Sequence, residues 1–245
     1  MNKLYVVGIG PGNRENMTFS AVNALKDSDI IIGYNTYIDL IKDLIGGKQV
    51  VSNGMRKEVD RCKEAIELAS KGNTVSVVSS GDAGVYGMAG LILEIISKEY
   101  SMSDFDVQII PGVTAGNSSA AILGAPLMHD YVTISLSDWL TKWETIENRI
   151  HCAGKGDFIV VLYNPKSKSR TEYINKTQEI LLQYKSPDTP VGIVRSAFRE
   201  DQSVQISTLG ELSNCDVDMF STVIIGNSKT YINGKYIITP RGYSI

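Results

Sequence analysis

Asp82 stands in a glycine-bracketed turn, Ser80-Gly81-Asp82-Ala83-Gly84-Val85-Tyr86-Gly87, directly after the apolar run Val75-Ser76-Val77-Val78. A carboxylate at a strand end can accept bonds from an amine or hydroxyl of a ligand. It can equally cap the helix that begins near Met88, or fix its own loop. Residue types alone leave both readings open. A second group with chemical potential is Asn164-Pro165-Lys166-Ser167-Lys168-Ser169-Arg170, which places three positive charges in seven residues just after an apolar run. On a free surface this is a solvated loop. At the mouth of a cleft, Lys166, Lys168 and Arg170 would meet an anionic substrate. Thr114, in Pro111-Gly112-Val113-Thr114-Ala115, suits the N-cap of a following helix, and the same position can present its hydroxyl to a ligand. His129 and His151 are the only histidines, without a spacing that suggests a metal site or a serine triad.

The elements that must position these groups are legible as punctuation. Three glycine turns follow apolar runs in the first half: Gly8-Ile9-Gly10-Pro11-Gly12 after residues 4–7, the turn at 80–87, and the turn at 111–116 after residues 107–110. Short β-branched runs that end in glycine and lead into helical patterns read as parallel strands with crossover helices. In such sheets ligands sit beyond the carboxyl ends of the strands, and glycine there lets a ligand touch the main chain. Helical spacing is expected over residues 18–26, 37–45, 57–71, 88–100 and 114–123, and strands at 30–32 and 49–52. The stretch 124–130, with glycine and proline, reads as a linker. The second half mixes strands (131–136, 158–163, 190–195, 202–208, 221–225 and 236–239) with helices over 140–152 and 172–184. The expected fold class is α/β, with two α/β lobes, residues 1–124 and 125–245, and a cleft between them.

Several classes drop out. At 245 residues, with 43% hydrophobic and 21% charged residues, the chain is long and apolar enough for real cores. A net charge of −3 argues against general nucleic-acid binding. Cys62, Cys152 and Cys215 are far apart and odd in number, so neither a disulfide framework nor a zinc site is expected, and no metal is assigned. No run approaches the roughly 18 apolar residues of a membrane span, so no membrane partner and a cytoplasmic setting are expected. The first turn resembles a dinucleotide fingerprint and fails it. Position 13 is asparagine, Pro11 removes an N–H donor, and Gly33-Tyr34 stands where a ribose-binding acid belongs. No phosphate-loop lysine occurs either. A nucleotide-binding α/β protein remains an open class.

Taken in order, Val7-Gly8-Ile9-Gly10-Pro11-Gly12, Ser80-Gly81-Asp82 with Val85-Tyr86-Gly87, Pro111-Gly112-Val113-Thr114-Ala115, Leu162-Tyr163-Asn164-Pro165 and Ile224-Ile225-Gly226 resemble the tetrapyrrole (corrin and porphyrin) methyltransferases that use S-adenosylmethionine. Any one piece is weak; the ordered set covers nearly the whole chain. Within the family, Gly33-Tyr34-Asn35-Thr36-Tyr37, Leu162-Tyr163-Asn164-Pro165-Lys166-Ser167 and Thr239-Pro240-Arg241-Gly242-Tyr243 resemble most the members that methylate ring carbon 17 of a corrinoid precursor with ring contraction. A sibling acting at another ring carbon is the near alternative.

The resemblance implies a two-lobed α/β protein, usually a homodimer, with S-adenosylmethionine folded into the cleft and a corrinoid tetrapyrrole as substrate. Carried over by position, the cofactor contacts are Pro11, Ser80, Gly81, Asp82, Val85, Thr114, Ala115, Asn164 and Ala197, with Pro240 near the adenine. Tyr34 and Met55 stand where uroporphyrinogen methyltransferases of the family carry aspartate and lysine, which disfavours that substrate. Ala83 replaces the proline usual after Gly-Asp. Ring contraction needs proton movement, for which Tyr34, Tyr37, His129 and Arg14 are the candidates. The macrocycle carries many carboxylates, and Lys166, Lys168 and Arg170 are the expected partners, with Arg195 and Arg199 in reserve.

Overall fold

The computed structural model describes residues 1–54 and 57–244, so Met55 lies outside the described residues. Its chain divides into two compact units, Met1–Ala115 and Gly116–Ile245.

In the first unit the apolar runs become β1 (Asn2–Gly8), β2 (Ile30–Tyr34), β3 (Gln49–Asn53), β4 (Val75–Ser79) and β5 (Phe105–Ile110). Among the described residues they form one sheet in the order β3-β2-β4-β1-β5, with every pairing parallel. Between them run α1 (Phe19–Asp27), α2 (Asn35–Asp39), α3 (Glu58–Ser70) and α4 (Ala89–Glu99). Strand residues alternate between faces. Leu4, Val6, Ile30, Ile32, Val75 and Val77 pack with α3 and α4, while Tyr5, Val7, Ile31 and Val78 pack with α1 and α2. A sheet covered on both faces needs unbroken apolar strands, which is why Val6-Val7 and Ile30-Ile31-Ile32 show no polar alternation. Each such side chain contributes about 1.5–3 kcal/mol by leaving water. Cys62 of α3 is fully buried near Met88, and burial pushes its thiol up to about 12, which leaves it unreactive.

The helix expected over 37–45 is shorter. α2 ends at Asp39 and a 3-10 turn takes Lys42–Leu44. Ile38, Ile41 and Leu44 recur every third residue, and threefold spacing suits a 3-10 path that keeps all three against the sheet. In α4, Gly90 is exposed and a Cβ there would meet nothing within 4 Å. Gly90→Ala should therefore stabilise by about 0.5–1 kcal/mol through lost unfolded-chain entropy. A melting curve checks this; a lower midpoint would contradict it.

The second unit contains α5 (Ala115–Leu123) from Gly116 onward, β6 (Gly124–Ala125), β7 (Tyr131–Ser135), α6 (Trp143–Lys155), β8 (Ile159–Tyr163), α7 (Tyr173–Leu181), β9 (Pro190–Arg195), β10 (Ser203–Thr208), β11 (Ser221–Ile225), β12 (Tyr231–Asn233) and β13 (Tyr236–Ile238). Its larger sheet runs β10-β9-β11-β8-β7. β11 is antiparallel to both β8 and β9, and β7 is parallel to β8. The carboxyl ends of β7, β8 and β9 therefore share one edge. α6 and α7 cover one face. On the other, Ala120 and Leu123 of α5 pack with Ile159, Val161, Val194 and Ile224. That packing puts α5 in the second unit and moves the division ahead of the boundary expected at 124/125. The expected linker is also partly structured, since Gly124 and Ala125 pair with Ile237 and Ile238. β12 and β13 form a hairpin whose Gly234-Lys235 loop has Gly234 at φ +59°, as a type II′ turn requires.

Candidate functional site

In the first unit β4, β1 and β5 lie side by side, so their tips open along one edge. α1 leaves the tip of β1 toward one face and α4 leaves the tip of β4 toward the other. Neighbouring strands whose connections depart on opposite faces leave a crevice at their carboxyl ends. Three loops meet there. Gly10 and Gly81 exchange both backbone bonds, at 3.0 and 2.7 Å, with φ of +72° and +69°. The Asp82 carboxylate accepts the Gly84 N–H at 2.8 Å and, from the third loop, the Gly112 N–H at 2.9 Å. Asp82 thus fixes its own loop and ties the tip of β4 to the tip of β5. The approach to α4 is handled otherwise: Ser79 Oγ accepts the Met88 N–H at 3.3 Å and the Ala83 carbonyl accepts the Ala89 N–H at 3.0 Å. Thr18 caps α1, accepting the Ala21 N–H at 3.1 Å, and donates to the Pro111 carbonyl at 3.2 Å.

Sequence reasoning gives these glycines to ligand approach. Gly8 and Gly112 serve the approach of the strand tips to one another. A Cβ on Gly112 would lie 2.2 Å from the Gly81 carbonyl oxygen and 2.6 Å from that of Gly8. The result is a rigid three-loop platform made of main chain and small side chains. Pro11 and Gly81 are buried in it, and Ser80, Asp82, Val85, Thr114 and Ala115 are half-buried. Across residues 9–13, 80–87 and 111–115 the sole charged side chain is Asp82. A platform with one carboxylate and no cation suits a positively charged ligand such as a sulfonium, which would meet no like charge there.

In the second unit the tip of β8 carries Asn164 at φ +50° and the tip of β9 carries Ser196 and Phe198 at +50° and +58°. A non-glycine residue in this region costs about 1–2 kcal/mol, with asparagine the best tolerated. Such residues at strand tips are over-determined by their surroundings and cluster at functional sites. Around Asn164 the clamp is Arg170. Its guanidinium donates to the Leu136 carbonyl at 2.6 Å and the Asn164 carbonyl at 3.0 Å. The Asn164 amide donates to Ser135 Oγ at 3.0 Å, which joins the tips of β7 and β8. Only 10% of the Arg170 side chain is exposed. Burial pulls its guanidinium downward from the ordinary range, while Asp138 and Tyr173 pull it back up. Arg170 therefore departs from its expected role against an anionic substrate: it is turned into the protein. Arg195 departs likewise, bound to Asp218 at 2.7 Å and Asp201 at 2.9 Å. Lys166 and Lys168 differ from both, since neither forms an ion pair among the described residues. Tyr163, which sequence reasoning cites only as part of a motif, accepts the Gly116 N–H at 2.8 Å and so holds the first turn of α5. Pro240 follows Thr239, whose buried hydroxyl donates to the Pro126 carbonyl at 2.7 Å.

The proton-transfer candidates separate. Tyr34 ends β2 and meets Tyr37 edge to face, ring centroids 5.2 Å apart. Arg14 follows the first glycine turn and pairs with Asp43 at 3.4 Å on the surface. His129 precedes β7, and the neighbouring Asp130 carbonyl accepts from Ile159, the first residue of β8. His129 thus sits at the edge opposite the β7 and β8 tips, about 17 Å away for a five-residue strand. His151 lies on α6 against the Tyr184 hydroxyl at 2.9 Å. Among the described residues no helix is long and apolar enough to cross a membrane.

Comparison with known proteins identifies the family and the fold. The family model for Tetrapyrrole (Corrin/Porphyrin) Methylases matches residues 3–213. A cobalt-factor III methyltransferase of Priestia megaterium is 50% identical over 98% of the chain, which spans 45% of that longer relative. A probable cobalt-factor III C(17)-methyltransferase of Salmonella typhimurium is 49% identical over 99% of the chain and 100% of its own length. The crystal structure of the methyltransferase CobJ superposes with a TM-score of 0.91 at 34% identity, covering 98% of this chain and 100% of that one.

Proposed function

The chain belongs to the tetrapyrrole (corrin/porphyrin) methylase family, and from that premise we propose that it transfers a methyl group from S-adenosylmethionine to carbon 17 of a corrinoid precursor in cobalamin biosynthesis, with ring contraction. The observation that carries the proposal is 49% identity over the entire length of the C(17)-methyltransferase relative. Both relatives near half identity are named for cobalt-factor III, which favours a substrate that already contains cobalt.

When bound, S-adenosylmethionine supplies a methyl group on a sulfonium, an electrophile with its leaving group built in. The protein's task is alignment and exclusion of water, and alignment alone lowers such a barrier by about 7 kcal/mol or more. The residues proposed to contact the cofactor are Pro11, Ser80, Gly81, Asp82, Val85, Thr114, Ala115, Asn164, Ala197 and Pro240. The Asp82 carboxylate, held by two amides, places fixed negative charge in a platform that carries no cation. Tyr34, Tyr37, His129 and Arg14 are the groups proposed to move protons during ring contraction. A homodimer in the cytoplasm completes the proposal.

Lys166 and Lys168 are proposed to meet the carboxylates of the macrocycle. Replacing both by alanine should raise the corrinoid KM about five- to thirtyfold, some 1–2 kcal/mol for two partly solvated pairs, and leave cofactor affinity within about twofold. An unchanged KM would reject the role. The function itself is tested by incubation with cobalt-factor III and S-adenosylmethionine labelled with carbon-13 in the methyl group. One labelled methyl at carbon 17 of a ring-contracted product is expected; label at another ring carbon, or none, would overturn the assignment.

A further inference from the structure

Ala197 lies between two non-glycine residues in the left-handed region, Ser196 at φ +50° and Phe198 at +58°. Neither a serine nor a phenylalanine holds that conformation without help. The help comes from side chains that follow the turn. Asp201 Oδ2 accepts both the Ser196 hydroxyl at 3.0 Å and an Arg195 guanidinium N–H at 2.9 Å. Gln202 Oε1 accepts the Phe198 N–H at 2.7 Å. Behind them, the Ser196 N–H donates to the Phe220 carbonyl at 3.2 Å and the Arg199 N–H to the Ser196 carbonyl at 3.0 Å. Arg195 is anchored in turn on Asp218 at 2.7 Å, whose other oxygen accepts the Phe220 N–H at 2.8 Å. Burial would raise the Asp218 carboxyl, but bonds from Arg195 and Ser221 outweigh it and hold the group below its usual range. The links end on the Ser196 hydroxyl, the Phe198 N–H, Arg195 at the root of the turn, and the Phe220 backbone behind it. β9 and β10 are antiparallel and pair from Arg195–Ser203, so residues 196–202 form the loop that joins them.

We propose that Asp201 and Gln202 are positioning residues for cofactor binding: they hold the Ser196–Phe198 backbone in its left-handed form before S-adenosylmethionine arrives, so that binding does not have to impose it. The inference rests on the proposed function, in which Ala197 contacts the cofactor. Neither side chain touches the cofactor: Asp201 acts through the Ser196 hydroxyl and Arg195, and Gln202 through the Phe198 N–H.

The idea has a specific signature, because glycine adopts positive φ without a side-chain clamp. Calorimetric titration with S-adenosylhomocysteine should show Asp201→Ala weakened about ten- to thirtyfold, one to one and a half decades at 1.4 kcal/mol each. Ser196→Gly alone should bind within about threefold of the parent, and the double variant Ser196→Gly, Asp201→Ala should return to that level. Its melting temperature should stay as low as that of Asp201→Ala, since the Arg195 pair remains broken. A purely structural aspartate would move both readouts together. Gln202→Ala and its rescue by Phe198→Gly form a second arm at an exposed position, which decides the matter if Asp201→Ala does not fold. Parent-like binding by Asp201→Ala and Gln202→Ala, or losses that glycine does not restore, would overturn the proposal. If the folded parent takes up no S-adenosylhomocysteine, the functional reading itself fails, and the proposal with it, in the parent titration alone.

Discussion

Gly112→Ala should remove most S-adenosylhomocysteine binding and lower the melting temperature by roughly 6–12 °C. The added Cβ would lie 2.2 Å from the Gly81 carbonyl oxygen and 2.6 Å from that of Gly8, both backbone atoms on neighbouring strand tips. No side chain can swing aside to relieve such a contact, so the tips of β1, β4 and β5 must separate. Overpacking of this kind costs about 1–3 kcal/mol and occasionally more, and a rigid backbone cluster belongs at the upper end. At about 2–4 °C per kcal/mol for a chain of this size, the thermal shift follows. Separation of the tips would also pull the Gly112 N–H off Asp82, so cofactor affinity should fall about a hundredfold, near 2.7 kcal/mol. Differential scanning calorimetry and titration check both numbers. A variant that melts within a degree of the parent would mean that the platform is soft and that its main-chain geometry is not what the glycines protect.

Asp82→Ala should be nearly as damaging, and the pattern of damage separates two roles. Both carboxylate oxygens already accept backbone N–H groups, from Gly84 and Gly112. Bonds to an ionised acceptor are each worth about 1.5–3 kcal/mol when fully formed, and less where water can replace them. With one of the pair exposed, a total near 3 kcal/mol is expected, or roughly 6–12 °C. Asp82→Asn keeps an oxygen for one amide and sets an NH2 group against the other, so it should fall between alanine and the parent. Stability and cofactor affinity should decline together, because the same two bonds shape the platform. If affinity falls while the melting temperature does not move, Asp82 acts directly on the ligand and its loop is held by something else.

How much of this is legible in the sequence depends on the range of the interaction. The first-unit strands are readable because burial on both faces forces runs such as Ile30-Ile31-Ile32 to be apolar throughout, and glycine marks where each ends. The strands Pro190–Arg195 and Ser221–Ile225 stand as expected. β6, at two residues, has no periodicity to detect and exists because β13 lies beside it. The division of the chain is missed for a related reason: α5 looks like the continuation of the third glycine turn, and only contacts with Ile159, Val161 and Ile224 attach it elsewhere. At the candidate site, local sequence exposes glycine turns and charge but not partners. Arg170 and Lys166 are equivalent in a string of letters. What distinguishes them is the Leu136 carbonyl, brought in by β7. The left-handed conformations of Ser196 and Phe198 have no sequence signal at all, since neither residue type favours them. The Asp201 and Gln202 side chains that support them could have been suspected only from polar residues placed just before an edge strand.

Hydrogen–deuterium exchange with and without S-adenosylhomocysteine is the decisive test of the proposed cofactor site, since it reports on the main chain of the strand-tip loops. Slower exchange is expected in the segments around residues 9–13, 80–87, 111–116, 163–165 and 196–198. Protection confined to other segments, or no change at saturating ligand, would contradict the account.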